Sequence, residues 1–132
     1  MGFKGVKNLR ILVEAEDIAD EIWDKVVTWN YFAKDTVGKQ LVKAADSIRA
    51  NIAESQGRFQ PGDVIHFLHI ARGSLQEATF WLRRTLRRKL MPKEKCEYFL
   101  NRYDNFGPQL NSYIKSQKQR KRQKKMTNKP TD

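Results

Sequence analysis

The side chains that could do chemistry are few and thinly grouped. His66 and His69 stand three apart, a spacing that on a helix would bring them to one face with Asp63. A metal site needs a further ligand in a preorganised pocket, and the sequence indicates none, so the pair reads as surface or interface histidines. Cys96 is the only cysteine, which excludes an intrachain disulfide and a Cys-based zinc site. With no CxxC or nucleophile signature around it, it reads as a packing residue. No phosphate-cradling glycine loop, HExxH pair or nucleophile elbow is present. The reading is a protein without catalytic residues, metal ligands or cofactor, and not an enzyme.

Positive charge is the more informative chemistry. The chain holds 26 Lys+Arg against 15 Asp+Glu, a formal net charge of +11 in 132 residues. Residues 115–132 carry Lys115, Lys118, Arg120, Lys121, Arg122, Lys124, Lys125 and Lys129 against Asp132 alone. A second cluster, Arg83, Arg84, Arg87, Arg88, Lys89, Lys93 and Lys95, falls at the end of one expected helix and the turn beyond it. Two or three cations would complement a helix C-terminus, and this cluster exceeds that need. Arginine forks match phosphate oxygens, and released counterions drive such binding. The expected partner is therefore a polyanion, nucleic acid before membrane. Phe80, Trp81 and Tyr31 could offer stacking surfaces, although aromatics at helical spacing also serve cores and interfaces.

These groups hang on a helical framework. From about Val6 to about Phe32, Leu12, Ala15, Ala19, Ile22, Val26 and Trp29 step by three and four, a helix stripe. Glu14, Glu16, Asp17, Asp20, Glu21 and Asp24 line the opposite side and read as a solvated acidic face. A break is expected at Lys34-Asp35-Thr36, with Asp35 or Thr36 capping a second helix whose stripe is Val37, Leu41, Ala45, Ile48 and Ile52. Gly57 would end it. Pro61-Gly62-Asp63 then predicts a turn, with Asp63 capping a third helix to about Leu90. Its seam is Val64, Leu68, Ala71, Leu75, Ala78 and Leu82. Pro92 fits the first turn of a fourth helix with Phe99, Tyr103, Phe106, Leu110 and Tyr113 at its core. Gly107-Pro108 predicts a kink in one bent helix, because proline lacks an amide and crowds the preceding turn. Short connections make neighbours antiparallel, so the expected fold is an all-α, up-down-up-down four-helix bundle over 1–114. From about Gln117 onward there are no core candidates, and residues 115–132 read as a basic tail that is disordered when free.

Polar groups also recur near the packed faces. Glu54 can reach Arg58 at i+4, and Asn51, Glu54, Arg72, Gly73 and Ser74 lie where the second and third helices would meet. Glu54 is expected to pair with Arg72 across them. No stretch approaches the roughly 20 apolar residues that span a bilayer, and the N-terminus has no uninterrupted apolar region. A cytoplasmic location is expected.

Ala45-Asp46-Ser47-Ile48, Asn51-Ile52-Ala53-Glu54, Gly57-Arg58 and Ile70-Ala71-Arg72-Gly73-Ser74-Leu75 with Glu77 resemble the four-helix-bundle family that includes proteins encoded in intervening sequences of bacterial large-subunit ribosomal RNA genes. The resemblance spans most of residues 5–115 and departs at Ser55-Gln56, where the family usually has glycine after the glutamate. Phe80-Trp81-Leu82-Arg83 and Phe106–Lys115 are similar to another branch, the accessory variability proteins of diversity-generating retroelements. Tyr113 stands there for the usual Trp and Pro108 for Arg. That resemblance implies a homopentameric barrel of bundles without catalytic activity, binding nucleic acid and the element's reverse transcriptase in support of mutagenic cDNA synthesis. The alternatives are an intervening-sequence protein of unknown role, or a structural oligomer whose basic surface meets a neighbour's acidic first helix.

Overall fold

The computed structural model describes residues 5–127, with side chains from Asn8 onward. Four long helices follow one another: α1 (Gly5–Val26), α2 (Lys39–Gln56), α3 (Pro61–Arg87) and α4 (Lys93–Thr127). A helical turn, Tyr31–Ala33, and a π-helical turn, Lys34–Gly38, lead directly into α2. Short connections reverse direction each time, giving the expected antiparallel bundle. The most extensive seam joins α2 to α3, followed by α3 to α4 and α1 to α2. The α1–α4 seam is thinner, and α1 stands diagonal to α3.

The core stripes follow the sequence periods. In α1, Ala15, Ala19, Ile22 and Val26 are buried, and Ile11 and Ile18 join them, while Leu12 sits half-buried at the margin. Every residue of the α2, α3 and α4 stripes predicted above is buried, with Phe99 and Phe106 among the largest fully enclosed side chains. Alanines at 44, 45, 71 and 78 are also fully or almost fully buried. Small side chains at such steps let backbones approach along their length.

Several boundaries differ from expectation. The first break comes at Val27–Asn30 rather than at Lys34–Thr36. Asn30 is extended, and its side chain accepts from the Ala33 amide at 3.0 Å, an N-cap. Asp35 and Thr36 do not cap, because they lie inside the π-helical turn, where Thr36 Oγ1 donates back to the Phe32 carbonyl at 2.7 Å. At the next turn the cap position is Gln60, with Pro61 at the first helical position, so Asp63 sits within the first turn and near its positive dipole end. Gly57 does close α2, its amide donating to the Glu54 carbonyl at 3.2 Å. α3 stops at Arg87, short of Leu90, and Pro92 is one residue before α4, accepting from the Lys95 and Cys96 amides.

α4 is one uninterrupted helix that carries Pro108 in its interior. It also continues through residues 115–127, which the sequence reads as a tail. Gln117 is buried there, and Arg120 donates to the Phe59 carbonyl at 2.6 Å and to Gln117 Oε1 at 3.0 Å. Lys124 donates to Gln60 Oε1. The α2–α3 connection therefore gives the final turns of α4 acceptors that composition does not announce. Residues 128–132 lie outside the described residues.

The π-helical turn brings Gly38 against α1. A Cβ there would lie 2.6 Å from Val26 Cγ1 and 3.4 Å from the Trp29 ring. Its φ of −58° is ordinary, so the requirement is for space, not for conformational freedom. Gly38→Ala should cost about 1–3 kcal/mol by overpacking. Gly73, where nothing lies within 4 Å of the position a Cβ would take, should gain up to about 1 kcal/mol on substitution by alanine through helix propensity. Chemical denaturation of both variants checks this; a Gly38→Ala protein as stable as the parent would refute it.

Candidate nucleic-acid interface

The first basic cluster is built by the end of α3. Lys89 has φ 57°, the left-handed position that glycine usually occupies after a helix. The Lys89 amide donates to the Leu86 carbonyl at 3.2 Å and the Leu90 amide to the Thr85 carbonyl at 3.1 Å, the two bonds of a Schellman motif. This fixed turn presents Arg83, Arg87, Arg88, Lys89 and Lys93 as exposed side chains, with Arg84 half-buried. Lys89 and Lys93 rim a cleft of about 560 Å³ floored by Leu86, Leu90, Met91 and Pro92. One turn earlier, Phe80 is half exposed and meets Trp81 edge-to-face at 4.9 Å. Lys95 turns instead onto the Tyr98 ring, 4.3 Å from its centroid. Tyr31 is also exposed, at the start of the chain leading into α2.

The second cluster lies at the other end of the bundle. Lys115, Lys118, Lys121, Arg122, Lys124 and Lys125 are exposed on the last turns of α4, with Arg120 half-buried. Lys121 Nζ passes 3.7 Å from the Cβ position of Gly62, which ties this segment to the start of α3. His69 is held below its usual pKa by burial and by the nearby cations Arg72 and Lys118, with His66 adding to the effect. Between Lys93 and Lys121 the axis of α4 runs about 40 Å. Leaving out Lys95, which sits on the Tyr98 ring, and Lys129, which lies outside the described residues, the other thirteen basic residues of the two sequence clusters form two groups, at opposite ends.

None of the thirteen forms an ion pair among the described residues. Four carboxylates, Glu14, Glu16, Glu21 and Glu54, are engaged elsewhere. Arg102 on α4 reaches Glu14 at 3.1 Å and also pairs with Glu21, while Tyr98 donates to Glu21 at 2.8 Å and accepts from Arg102. Arg49 Nε lies 2.9 Å from Glu16 Oε1, an ion pair by distance whose N–H is not aligned as a hydrogen bond. The acidic face of α1 is therefore partly recruited as structure, a correction to the solvated reading. Burial opposes the charge on Glu21, but the hydrogen bonds from Tyr98 and Arg102 outweigh it and hold the carboxyl below its usual range. Burial likewise opposes charge on Arg102, whose pKa is nonetheless raised by its carboxylate partners. Sequence reasoning missed Arg102, although Glu14 and Glu21 at a seven-residue interval on one α1 face were a usable signal.

The polar groups of α2 and α3 resolve differently from the expected pair. Glu54 binds Arg58 at 2.7 Å, as its i+4 spacing predicts. Arg72 does not meet Glu54; it donates to Asn111 on α4 at 3.3 Å. The helical phase turns it toward α4. Ser74 instead meets Ser47 at 2.8 Å, and Asn51 Nδ2 donates to the Ser47 carbonyl and hydroxyl. Among the described residues no three His, Cys, Asp or Glu side chains are grouped for a metal, and no helix is long and apolar enough to cross a membrane. Cys96 is fully buried, and burial pushes its thiol pKa up.

The family model described as 23S rRNA-intervening sequence protein matches residues 7–112. Among solved structures, the chain is similar to a protein of unknown function from the S23 ribosomal protein family of Bacteroides thetaiotaomicron, at 24% identity and TM-score 0.74. That match covers 83% of this chain and 99% of the other, and it shows a shared fold. No curated protein matches.

Three outcomes follow from the site geometry. Arg102→Ala leaves the partly buried Glu14 without its donor and Glu21 with Tyr98 alone, and should cost about 1–3 kcal/mol. Glu21 has a folded pKa below its ordinary 4.5, so its contribution is complete above that value and is lost as pH falls through the lower folded value. Melting temperature should accordingly fall more steeply below pH 4.5 in the parent than in Glu21→Gln; parallel curves would refute the assignment. Lys89→Gly relieves a left-handed lysine and should raise stability by about 1 kcal/mol while weakening polyanion binding. A purely structural Lys89 would change stability alone.

Proposed function

The chain belongs to the 23S rRNA-intervening sequence protein family, and on that premise we propose that it is a non-enzymatic, cytoplasmic protein that binds nucleic acid through phosphate contacts. The observation that carries this reading is the lack of a protein counter-charge for the thirteen basic residues. The ion pairs of the described residues use Arg49, Arg58 and Arg102, which leaves Arg83, Arg84, Arg87, Arg88, Lys89 and Lys93 at one end available to a ligand. At the other end Lys115, Lys118, Lys121, Arg122 and Lys125 are equally available, while Arg120 and Lys124 use neutral acceptors. Such contacts position a backbone without reading its sequence.

A second, narrower reading makes the chain the accessory subunit of a retroelement reverse transcriptase, assembled as a pentamer and binding RNA or an RNA/DNA hybrid. Phe80-Trp81-Leu82-Arg83 favours it, with the Phe80 ring half exposed beside the first basic cluster. Family membership favours the intervening-sequence alternative over this one.

Binding of a labelled single-stranded RNA, measured by fluorescence anisotropy across a salt series, tests the proposal. Replacing Arg84, Arg87 and Arg88 with Gln should reduce the slope of log K against log salt by about 2, since each single-strand phosphate contact contributes about 0.7. Salt-insensitive or absent binding by the parent would overturn it.

A further inference from the structure

We infer that the bundle holds nucleic acid at two independent sites, one at each end, so that a single chain engages two separate stretches of phosphate backbone. The inference rests on the nucleic-acid reading above and adds the arrangement of the bound strands. One site is the α3–α4 turn, with Arg84, Arg87, Arg88 and Lys89. The other is the far end of α4, with Lys118, Lys121, Arg122 and Lys125.

The stretch between them argues against one continuous groove. From Tyr98 to Ile114, about 25 Å of α4, the charged residues are Arg102 and Asp104. Arg102 is turned away, held by Glu14 and Glu21 of α1. On the adjoining part of α3, Glu77 is exposed and Arg72 is engaged by Asn111. A backbone laid lengthwise would cross a section offering exposed carboxylates and neutral Gln76, Asn105 and Gln109. The interval is about three screening lengths at physiological ionic strength, where that length is about 8 Å. Each end therefore attracts phosphate without help from the other.

The two ends also differ in construction. The first is fixed by the Schellman turn around Lys89. The second is a single helix edge, anchored through Arg120 and Lys124 to the α2–α3 connection. Contacts on a helix edge follow a strand loosely, whereas the turn concentrates four cations at one point. The first site should accordingly bind the tighter of two short ligands.

Native mass spectrometry with a hexanucleotide oligouridylate at low salt counts the sites directly and reports the count per chain whatever the oligomeric state. The full chain should take two oligonucleotides per protomer. Arg84→Gln/Arg87→Gln/Arg88→Gln and Lys118→Gln/Lys121→Gln/Lys125→Gln should each take one, with circular dichroism unchanged. One oligonucleotide per protomer in the parent, or loss of both in either variant, would overturn the two-site arrangement while leaving nucleic-acid binding intact. No bound oligonucleotide, together with no binding of longer RNA, would overturn both.

Discussion

Lengthwise contact between α2 and α3 is the constraint on which the rest of the molecule depends. Ala44, Ala45, Ala71 and Ala78 are buried in the core, and Ser47 and Ser74 meet across the seam at 2.8 Å. The close approach lets Asn51 complete the polar rung from within α2. The interior built this way is mainly apolar, and the cations of the two basic clusters stand on the surface without ion pairs among the described residues.

The remaining two helices are held by different means. α4 packs its aromatic stripe, Phe99, Tyr103 and Phe106, against α3 and the core. Its thinner seam with α1 relies on Arg102 placed between Glu14 and Glu21. That arrangement has a second effect, because it occupies carboxylates that would otherwise compete for cations near the middle of α4. The acidic character of α1 and the basic character of α4 are thus joined at one point and left unmatched toward the ends.

Much of the fold was legible in the sequence, and the failures share a cause. The core stripes of α2, α3 and α4 were readable because burial repeats every three or four residues. The cap at Asn30 was missed because Lys34-Asp35-Thr36 has cap-forming side chains too, and only the π-helical turn forced by packing Gly38 on Val26 decides between them. Asp63 likewise has a capping side chain, but the chain turns into α3 earlier, at Gln60 and Pro61. The continuation of α4 past residue 115 was hidden because its support comes from acceptors at Phe59 and Gln60, distant in sequence.

The sequence by itself determined the number of helices, their buried faces and the excess of positive charge, since periodicity and composition are local properties. It could not determine which charges meet. Glu54 and Arg72 are near the same seam, yet helical phase sends one to Arg58 and the other to Asn111. Nor could it say that its two basic clusters lie at opposite ends of the bundle. That outcome depends on antiparallel chain reversal, which brings Arg87 beside Lys93 and carries Lys121 to the start of α3, about 40 Å away along one helix.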